Sequence, residues 1–316
     1  MANPVSSLRE ANNYVEIEGF LEENNLEKKV LDEGTDKERK IIAGNLVIGV
    51  SEEAKYKVEF YANEKNANGD ESKLYKGLET VINEYVSRAQ ALNNNLGEDA
   101  ISKVNIKGAK LTVNDYWDEE KKTMYTTVRL RASFVNRVTA EFKPKATFDV
   151  EAYFESIEKE VVDGAETGRV KAECIIPVYN GAVIPVTFYT TEDKTYGDIG
   201  AYLLEHYSTG KSAPIGGSIR CIAKTNTTTV AGFGAPVERT FTNYVYEYII
   251  ERGAAEQYLI TDAKNFDKNT IKSAMQYRNE QLEQKKTSGG SNGATTTASA
   301  GFGNTPVSNK TKELDF

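Results

Sequence analysis

The chain has 316 residues, 39% of them hydrophobic and 27% charged, and a formal net charge of −8 at pH 7. These values predict a soluble globular protein of about two domains, and no apolar run approaches the roughly 20 residues that a membrane-spanning helix needs. The N-terminus lacks the basic and apolar segments of a secretory signal, and Cys174 and Cys221 do not form a C-x-x-C pair. We expect a protein of a reducing cytoplasm, without a membrane partner.

The first half of the chain predicts three strands, one helix and two further strands. Alternating apolar side chains define the strands, and an apolar period of about 3.6 residues defines the helix. The strands cover residues 14–20, 39–48, 56–61, 104–113 and 125–138, and the helix covers residues 77–86. Leu78, Val81, Ile82 and Tyr85 fall on one face of that helix, which should pack against the strands.

The second half repeats this order of elements, which predicts two related domains. Its strands cover residues 148–154, 169–176, 184–189, 218–225 and 240–251, and its helix covers residues 197–207. Pro144 marks the joint between the halves, because proline ends strand pairing. Beyond the second half, Ile271, Met275 and Leu282 recur at near-helical spacing and predict a short amphipathic helix.

The order β-β-β-α-β-β in each half is that of the OB-fold, a small barrel of five strands. The predicted fold class is therefore mainly β with a minor α component: two tandem OB-fold barrels, a short C-terminal helix and a disordered tail. A generic α+β sandwich is the competing architecture. The predicted segments are an N-terminal arm at 1–13, OB-like domains at 14–143 and 144–263, a helix at 264–286 and the tail at 287–316.

Several groups that commonly carry catalysis are missing from the sequence. His206 is the only histidine, and its position on a helical face favours a structural role. Gly210, Lys211 and Ser212 match the end of a phosphate-binding loop, but Glu205 replaces the leading glycine of that motif. One histidine and two separated cysteines cannot supply a four-ligand zinc site. We expect neither an enzyme nor a cofactor or metal.

The fifth strand of the first half has one apolar face and one basic face. Val128, Leu130 and Ala132 alternate with Arg129 and Arg131, so both arginines should point away from the core. Phosphate binding depends on where the charges lie, so a local basic stripe on an acidic protein still permits a nucleic-acid ligand.

Aromatic side chains accompany the cations in both halves. Tyr244, Tyr246 and Tyr248 share one face of a strand, where their rings would stack on bases or, alternatively, pack within the sheet or on the C-terminal helix. Trp117 and Phe233 lie in the connections between the fourth and fifth strands, which close over the ligand in an OB-fold. The predicted nucleic-acid-binding residues are Lys55, Lys57, Tyr61, Trp117, Arg129, Arg131, Arg220, Lys224, Phe233, Tyr244, Tyr246 and Tyr248.

The end of the chain differs from the rest in composition. Residues 287–309 contain no charged side chain, which predicts a flexible tether. Glu313, Leu314, Asp315 and Phe316 then combine acidic and apolar groups suited to a basic-rimmed apolar pocket on a partner protein. An ordinary frayed C-terminus is the alternative interpretation.

In the architecture of residues 14–253 and in the tip Glu313-Leu314-Asp315-Phe316, the chain resembles the single-stranded DNA-binding proteins of bacteria and their phages. The resemblance implies that the OB surfaces coat single-stranded DNA in replication, recombination and repair. It also implies that the tip recruits replication or recombination proteins, in a bacterial or host cytoplasm. Most bacterial members have one OB domain per chain and a more acidic tip. Two OB domains, and a tip whose negative charge is reduced by Lys310 and Lys312, resemble a tandem phage-type version more closely. The oligomeric state, monomer or dimer, stays open.

Two other classes of protein remain open on the sequence alone. One is a structural or adaptor protein, such as a virion component, whose tandem β-domains bind protein or glycan. The other is an accessory enzyme of a nuclease or polymerase, which the lack of a recognisable cluster of metal-binding acids disfavours.

Overall fold

The computed structural model describes residues 8–139, 141–195, 197–230 and 237–287. In the first half, β1 to β6 cover Asn13–Leu31, Arg39–Gly49, Lys55–Asn63, Lys103–Asp118, Thr123–Ala132 and Asn136–Arg137, and α1 and α2 cover Lys73–Glu84 and Arg88–Asn93. In the second half, β7 to β11 cover Lys145–Val162, Ala165–Pro177, Val183–Tyr189, Ser212–Val230 and Val237–Gly253, and α3 and α4 cover Ile199–His206 and Lys268–Thr287.

Each half closes into a five-stranded barrel with the same connectivity. In barrel 1, β1 pairs antiparallel with β2 and β4, β2 pairs with β3, β4 pairs with β5, and a parallel pairing of β3 with β5 closes the ring. In barrel 2, β7, β8, β9, β11 and β10 form the equivalent ring, closed by the parallel pairing of β9 with β11. This is OB-fold connectivity. The predicted mainly β fold is confirmed, and the alternative sandwich is wrong.

The alternation of side chains explains why these segments form barrel strands. In β3, Tyr56, Val58 and Phe60 are buried, whereas Lys57 and Asn63 between and beyond them are exposed. A strand with this pattern buries one face in the barrel and leaves the other in water.

The first strand of each half, β1 and β7, is longer than the predicted 14–20 and 148–154, and two elements differ from the predicted order. The single strand predicted at 125–138 is divided into β5 and the two-residue β6, which pairs with the start of β4. Helix α2 was not predicted, because six residues are too few to show a helical period. Its local signal is a capping box, in which Ser87 and Gln90 exchange hydrogen bonds of 3.2 and 2.9 Å between side chain and backbone.

The two barrels are joined through their first strands. β1 and β7 pair antiparallel, from Asn13 opposite Val150 to Glu18 opposite Lys145. The same stretches also pair with β4 and β10, so β4, β1, β7 and β10 form a continuous sheet across the joint. We call this joint the seam. The buried side chains of both barrels form one continuous apolar core on its inner face.

The helices cover the ends of this core. α1 buries Tyr75, Leu78 and Val81, which confirms the apolar face predicted from the sequence. α4 buries Ile271 and Ala274 and contacts both β4 and β9, so it leaves barrel 2 and reaches barrel 1. Within the described ranges, none of the helices combines the length and apolarity needed to cross a membrane.

Replacing Tyr248 by phenylalanine should stabilise the protein. The Tyr248 ring packs edge-on against Phe148 and Phe188 in the core of barrel 2, and its hydroxyl has no hydrogen-bond partner among the described residues. Removing a buried unsatisfied hydroxyl should raise the free energy of unfolding by about 1 kcal/mol. Urea unfolding measures this change. The matched control is Tyr207→Phe, which should destabilise because Tyr207 donates to the Ala254 carbonyl oxygen at 2.6 Å. Destabilisation by both substitutions would contradict the prediction.

Candidate nucleic-acid interface

The outer face of barrel 1 carries a row of polar and aromatic side chains along β4 and β5. The strand register pairs Lys110 with Arg131 and Tyr116 with Tyr125 at the two ends of this row. The alternate positions, which include Leu111 and Leu130, point into the barrel. We call the row the outer stripe. Its members are Lys110, Thr112, Asn114 and Tyr116 on β4, and Tyr125, Thr127, Arg129 and Arg131 on β5.

The far end of the outer stripe is aromatic. The rings of Tyr116 and Tyr125 are stacked, with their centroids 5.2 Å apart, and Tyr116 is 46% exposed. The ammonium group of Lys121, in the turn that joins the two strands, lies 5.7 Å from the centroid of the Tyr125 ring. An exposed ring, stacked on a second ring that has a cation beside it, is a suitable platform for a base and its phosphate.

The near end of the outer stripe is basic. Arg129 forms a 2.6 Å ion pair with Glu59 on β3, and Lys110 forms a 2.7 Å ion pair with Glu10. The Lys110–Glu10 pair is largely exposed, so it is weak and salt-sensitive, whereas the side chains of the Arg129–Glu59 pair are only 23% and 22% exposed. A phosphate group can therefore compete most readily with Glu10 for Lys110.

Strand β3 extends the same face beside β5. Glu59 pairs with Arg131 across the parallel strands, so Lys57 and Tyr61, at alternate positions from Glu59, share its outward direction. Lys57 is exposed and Tyr61 is half-buried, with its hydroxyl donating to Asn63 at 2.9 Å. The structure thus brings four of the predicted residues, Lys57, Tyr61, Arg129 and Arg131, onto one surface.

Lys55 belongs to a different environment, and its assignment as a phosphate ligand is corrected. Its ammonium group forms a 3.2 Å ion pair with Glu22, whose side chain is only 9% exposed and also binds Arg88 at 3.0 Å. Taking Lys55 away from Glu22 would remove one of the two cations that compensate a buried carboxylate, which is costly. The lysine is therefore held in a structural pair.

Tyr246 joins the two barrels instead of facing a ligand. Its ring stacks on Tyr56 at 5.4 Å, and its hydroxyl accepts from the Lys57 backbone N–H at 2.7 Å and donates to the Lys55 carbonyl oxygen at 3.3 Å. Cys221 adds a hydrogen bond of 3.3 Å to the same Lys55 oxygen. The inner face of the β10–β11 hairpin is thus docked on β3 of barrel 1.

The three tyrosines of β11 do share one face, but it is the inner one. The register pairs Tyr246 with Cys221 and Tyr248 with Ile219, so these side chains point toward the core and the joint between the barrels. Tyr248 is buried and only Tyr244 is exposed. The prediction that Tyr246 and Tyr248 stack on bases is wrong, because alternation alone does not say which face meets solvent.

Trp117 also lies on the inner face of its hairpin. It pairs with Met124, whereas the stacked tyrosines occupy the opposite face. The ammonium group of Lys286, at the end of α4, lies 5.6 Å from the centroid of the Trp117 ring. The half-buried ring therefore faces the end of α4 and lies on the opposite side of the hairpin from the outer stripe, and its stacking role stays a prediction.

The outer face of barrel 2 has a different charge pattern. Arg220 and Lys224 are exposed on β10, but Glu247 occupies the position on β11 that Arg131 has on β5. The Glu247 carboxylate lies 3.2 Å from Arg169 and 3.8 Å from Arg220. The Arg169 guanidinium also covers the ring of Tyr189 at 4.6 Å. The cations of this face are therefore largely compensated, and its tyrosine ring is covered.

Some predicted residues fall outside the described residues. They are Phe233 and the tip Glu313, Leu314, Asp315 and Phe316. Conversely, sequence reasoning missed Lys110, Tyr116, Lys121 and Tyr125. Tyr125, Arg129 and Arg131 occupy alternate positions of one strand and therefore share a face, so the sequence alone could have identified Tyr125.

Comparison with known proteins identifies the family of this chain. The YorF family model matches residues 11–288. The chain belongs to the YorF family. No curated protein matches the sequence.

Similar solved structures include the wild-type single-stranded DNA binding protein from Thermus aquaticus, at 11% identity and a TM-score of 0.43, covering 81% of this chain and 97% of that one. Another is a replication protein A heterotrimer bound to ssDNA, at 12% identity and a TM-score of 0.21, covering 89% of this chain and 71% of that one. These likenesses are too distant to bear on the function of the YorF-family chain.

The Tyr246 contact predicts a specific loss of stability at alkaline pH. Burial raises the pKa of Tyr246 to about 12, whereas an unfolded tyrosine ionises near pH 10. The folded state therefore holds the proton more tightly. The contribution of Tyr246 to stability is fully present below about pH 10 and falls by about 1.4 kcal/mol per pH unit as pH rises toward 12.

Urea unfolding of wild type and Tyr246→Phe at pH 9 and pH 11 tests this. Wild type should lose more stability than the variant over that interval, because the variant has no phenol at this position to ionise. The control is Tyr244→Phe, a substitution at an exposed position of the same strand, which should behave like wild type. Equal alkaline losses in wild type and Tyr246→Phe would contradict the assigned contact.

Proposed function

We propose that this protein binds single-stranded DNA along the outer stripe of barrel 1, without catalysing a reaction. The observation that carries the proposal is the continuity of the stripe, which leads from Lys110, Arg129 and Arg131 to the stacked pair Tyr116 and Tyr125 on one outward face. Cations that follow phosphates and rings that stack on bases are the two requirements for binding a single strand without sequence preference.

A single strand fits this surface better than a duplex does. The stacked tyrosines offer ring faces and edges to unpaired bases, each stack contributing about 1–3 kcal/mol. In a duplex those base faces are already occupied by neighbouring base pairs.

The two barrels have unequal roles in this proposal. Barrel 1 presents its cations, partly paired with Glu59 and Glu10, on the same face as the stacked rings of Tyr116 and Tyr125. In barrel 2, Glu247 lies between Arg169 and Arg220, and Arg169 covers the ring of Tyr189. Barrel 1 is therefore the main binding surface. Arg220 and Lys224 of barrel 2 add a weaker site that the strand reaches after it is bound, which raises affinity through effective concentration.

We extend the proposal to a role in coating single strands during DNA replication, recombination or repair in a cytoplasm. The tip residues Glu313, Leu314, Asp315 and Phe316 are proposed to recruit replication or recombination proteins. The acidic and apolar composition of the tip supports this second part.

The arginines of the stripe should determine the salt dependence of binding. Arg129→Ala combined with Arg131→Ala should weaken binding to labelled oligo-dT and reduce the slope of log affinity against log salt by about 1.4, since each lost phosphate contact contributes about 0.7 for a single strand. Fluorescence anisotropy at rising salt measures both. Arg220→Ala with Lys224→Ala removes the same charge from barrel 2 and should change the slope much less. Equal effects of the two double variants would contradict a main site on barrel 1. Absence of binding by wild type at low salt would overturn the proposed function.

The tyrosine pair should contribute affinity that salt does not modulate. Tyr116→Ala and Tyr125→Ala should each weaken oligo-dT binding by about 1–3 kcal/mol while the salt slope stays constant, because a stack releases no counterions. Phenylalanine at either position should retain most of the affinity. Tyr179→Ala, which removes a ring that is 65% exposed on barrel 2, is the control. Alanine variants with wild-type affinity would show that bases do not stack there.

A further inference from the structure

The C-terminal helix α4 is attached to the hairpin that carries the stacked tyrosines. It begins after barrel 2, where Asp267 caps its first turn by accepting from the Thr270 N–H at 2.8 Å, and it buries Ile271 and Ala274. Its later turns contact β4 of barrel 1. The helix thus connects the core of barrel 2 to the β4–β5 hairpin.

The attachment is a two-pronged ion pair between Arg278 and Asp115. The two guanidinium nitrogens of Arg278 donate to the two Asp115 oxygens at 2.8 and 2.6 Å, and the side chains are only 13% and 7% exposed. Thr126 donates to Asp115 at 2.6 Å and lies 3.4 Å from the same guanidinium. A paired, planar contact of this kind fixes orientation as well as distance.

The position of this contact on the hairpin connects it to the outer stripe. Asp115 and Thr126 form a cross-strand pair, and the next pair toward the hairpin turn is Tyr116 with Tyr125. Successive pairs point to opposite faces of the hairpin. Arg278 therefore holds the inner face at the position directly adjacent to the stacked rings on the outer face.

The corresponding hairpin of barrel 2 is supported in a different way. There the inner face of β10 and β11 docks directly on the other barrel through Tyr246 and Cys221. In barrel 1 the inner face of β4 meets α4, which also contacts β9. The helix therefore adds to the direct contact that β4 makes with β9 of the opposite barrel.

We propose that Arg278 is a positioning residue for nucleic-acid binding, which acts through Asp115 and Thr126 to fix the Tyr116 and Tyr125 rings for stacking. This inference rests on the function proposed above. The charge state of the pair agrees with it. Burial alone would raise the pKa of Asp115, but hydrogen bonds from Arg278 and Thr126 outweigh burial and hold that pKa below its ordinary value. Asp115 is thus an anion over the physiological pH range and retains its attraction for Arg278.

Trp117 provides a direct reporter for the test. It is the only tryptophan in the chain, and it lies two residues beyond Asp115 on the same face of the hairpin, beneath Lys286. Release of the hairpin from α4 should expose the indole to water and shift its emission to longer wavelength. Tryptophan emission therefore reports hairpin position separately from DNA affinity.

The experiment compares wild type, Arg278→Ala, Arg278→Lys and the control Arg252→Ala, in the full chain. Arg252 has the same charge and is paired with Asp149 at 2.8 Å on the exterior, away from the hairpin. Arg278→Ala should red-shift Trp117 emission and weaken oligo-dT binding about tenfold, the equivalent of one lost base stack. The salt slope should not change, because no phosphate contact is lost. Arg278→Lys should give an intermediate affinity, and Arg252→Ala should match wild type.

The outcomes separate this inference from the proposed function. Failure of wild type to bind oligo-dT would overturn the function itself. Binding by wild type together with unchanged affinity in Arg278→Ala, despite a shifted Trp117 emission, would overturn only the positioning role. A salt slope reduced by about 0.7 in that variant would instead make Arg278 a direct phosphate ligand and contradict the inference. If circular dichroism shows that Arg278→Ala is unfolded, the test falls to Arg278→Lys. Wild-type affinity in that variant would contradict the positioning role of Arg278.

Discussion

The antiparallel pairing of β1 with β7 is the constraint on which the rest of the structure depends. It fixes one barrel against the other and makes their two cores continuous. The register has little freedom, because a slip of one residue would turn Val15 and Ile17 out of the core and bring Glu16 and Glu18 into it. On the outer face the acids are already accommodated. Glu16 pairs with Lys145 at 3.0 Å, and Glu18 accepts from Asn105 at 2.5 Å.

With the barrels held in this way, each fourth-and-fifth-strand hairpin has two different faces. The inner face is directed toward the opposite barrel and the outer face toward solvent. In barrel 2 the rings of Tyr246 and Tyr248 are on the inner face, and the cations Arg220 and Lys224 are on the outer one. In barrel 1, rings and cations share the outer face, and α4 fills the inner side. The two hairpins thus have the same backbone pairing but place their aromatic rings differently. The rings of barrel 2 dock on barrel 1, and the rings of barrel 1 lie on the outer face.

Much of this arrangement could be predicted from local pattern. The order of strands follows from alternation, and the outward direction of Arg129 and Arg131 follows from the buried Leu130 between them. The direction of the β11 tyrosines could not be predicted. Which face of this strand is buried depends on its contact with the other barrel, and the local sequence of the strand does not show that contact. The contacts of Lys55 with Glu22 and of Arg278 with Asp115 are beyond local reasoning for the same reason. The second pair joins residues 163 positions apart, and no periodicity reports such a contact.

The negative net charge of the chain does not oppose the proposed ligand, once the positions of the charges are considered. At physiological ionic strength, exposed charges farther apart than about 8 Å are largely screened. A phosphate on the outer stripe would therefore respond mainly to Lys110, Arg129 and Arg131, and to the carboxylates of Glu59 and Glu10 beside them. Other acids are occupied elsewhere, such as Glu22 under Lys55 and Arg88. The proposed function does not require a positive net charge, because a bound phosphate responds to the charges on and beside β4 and β5.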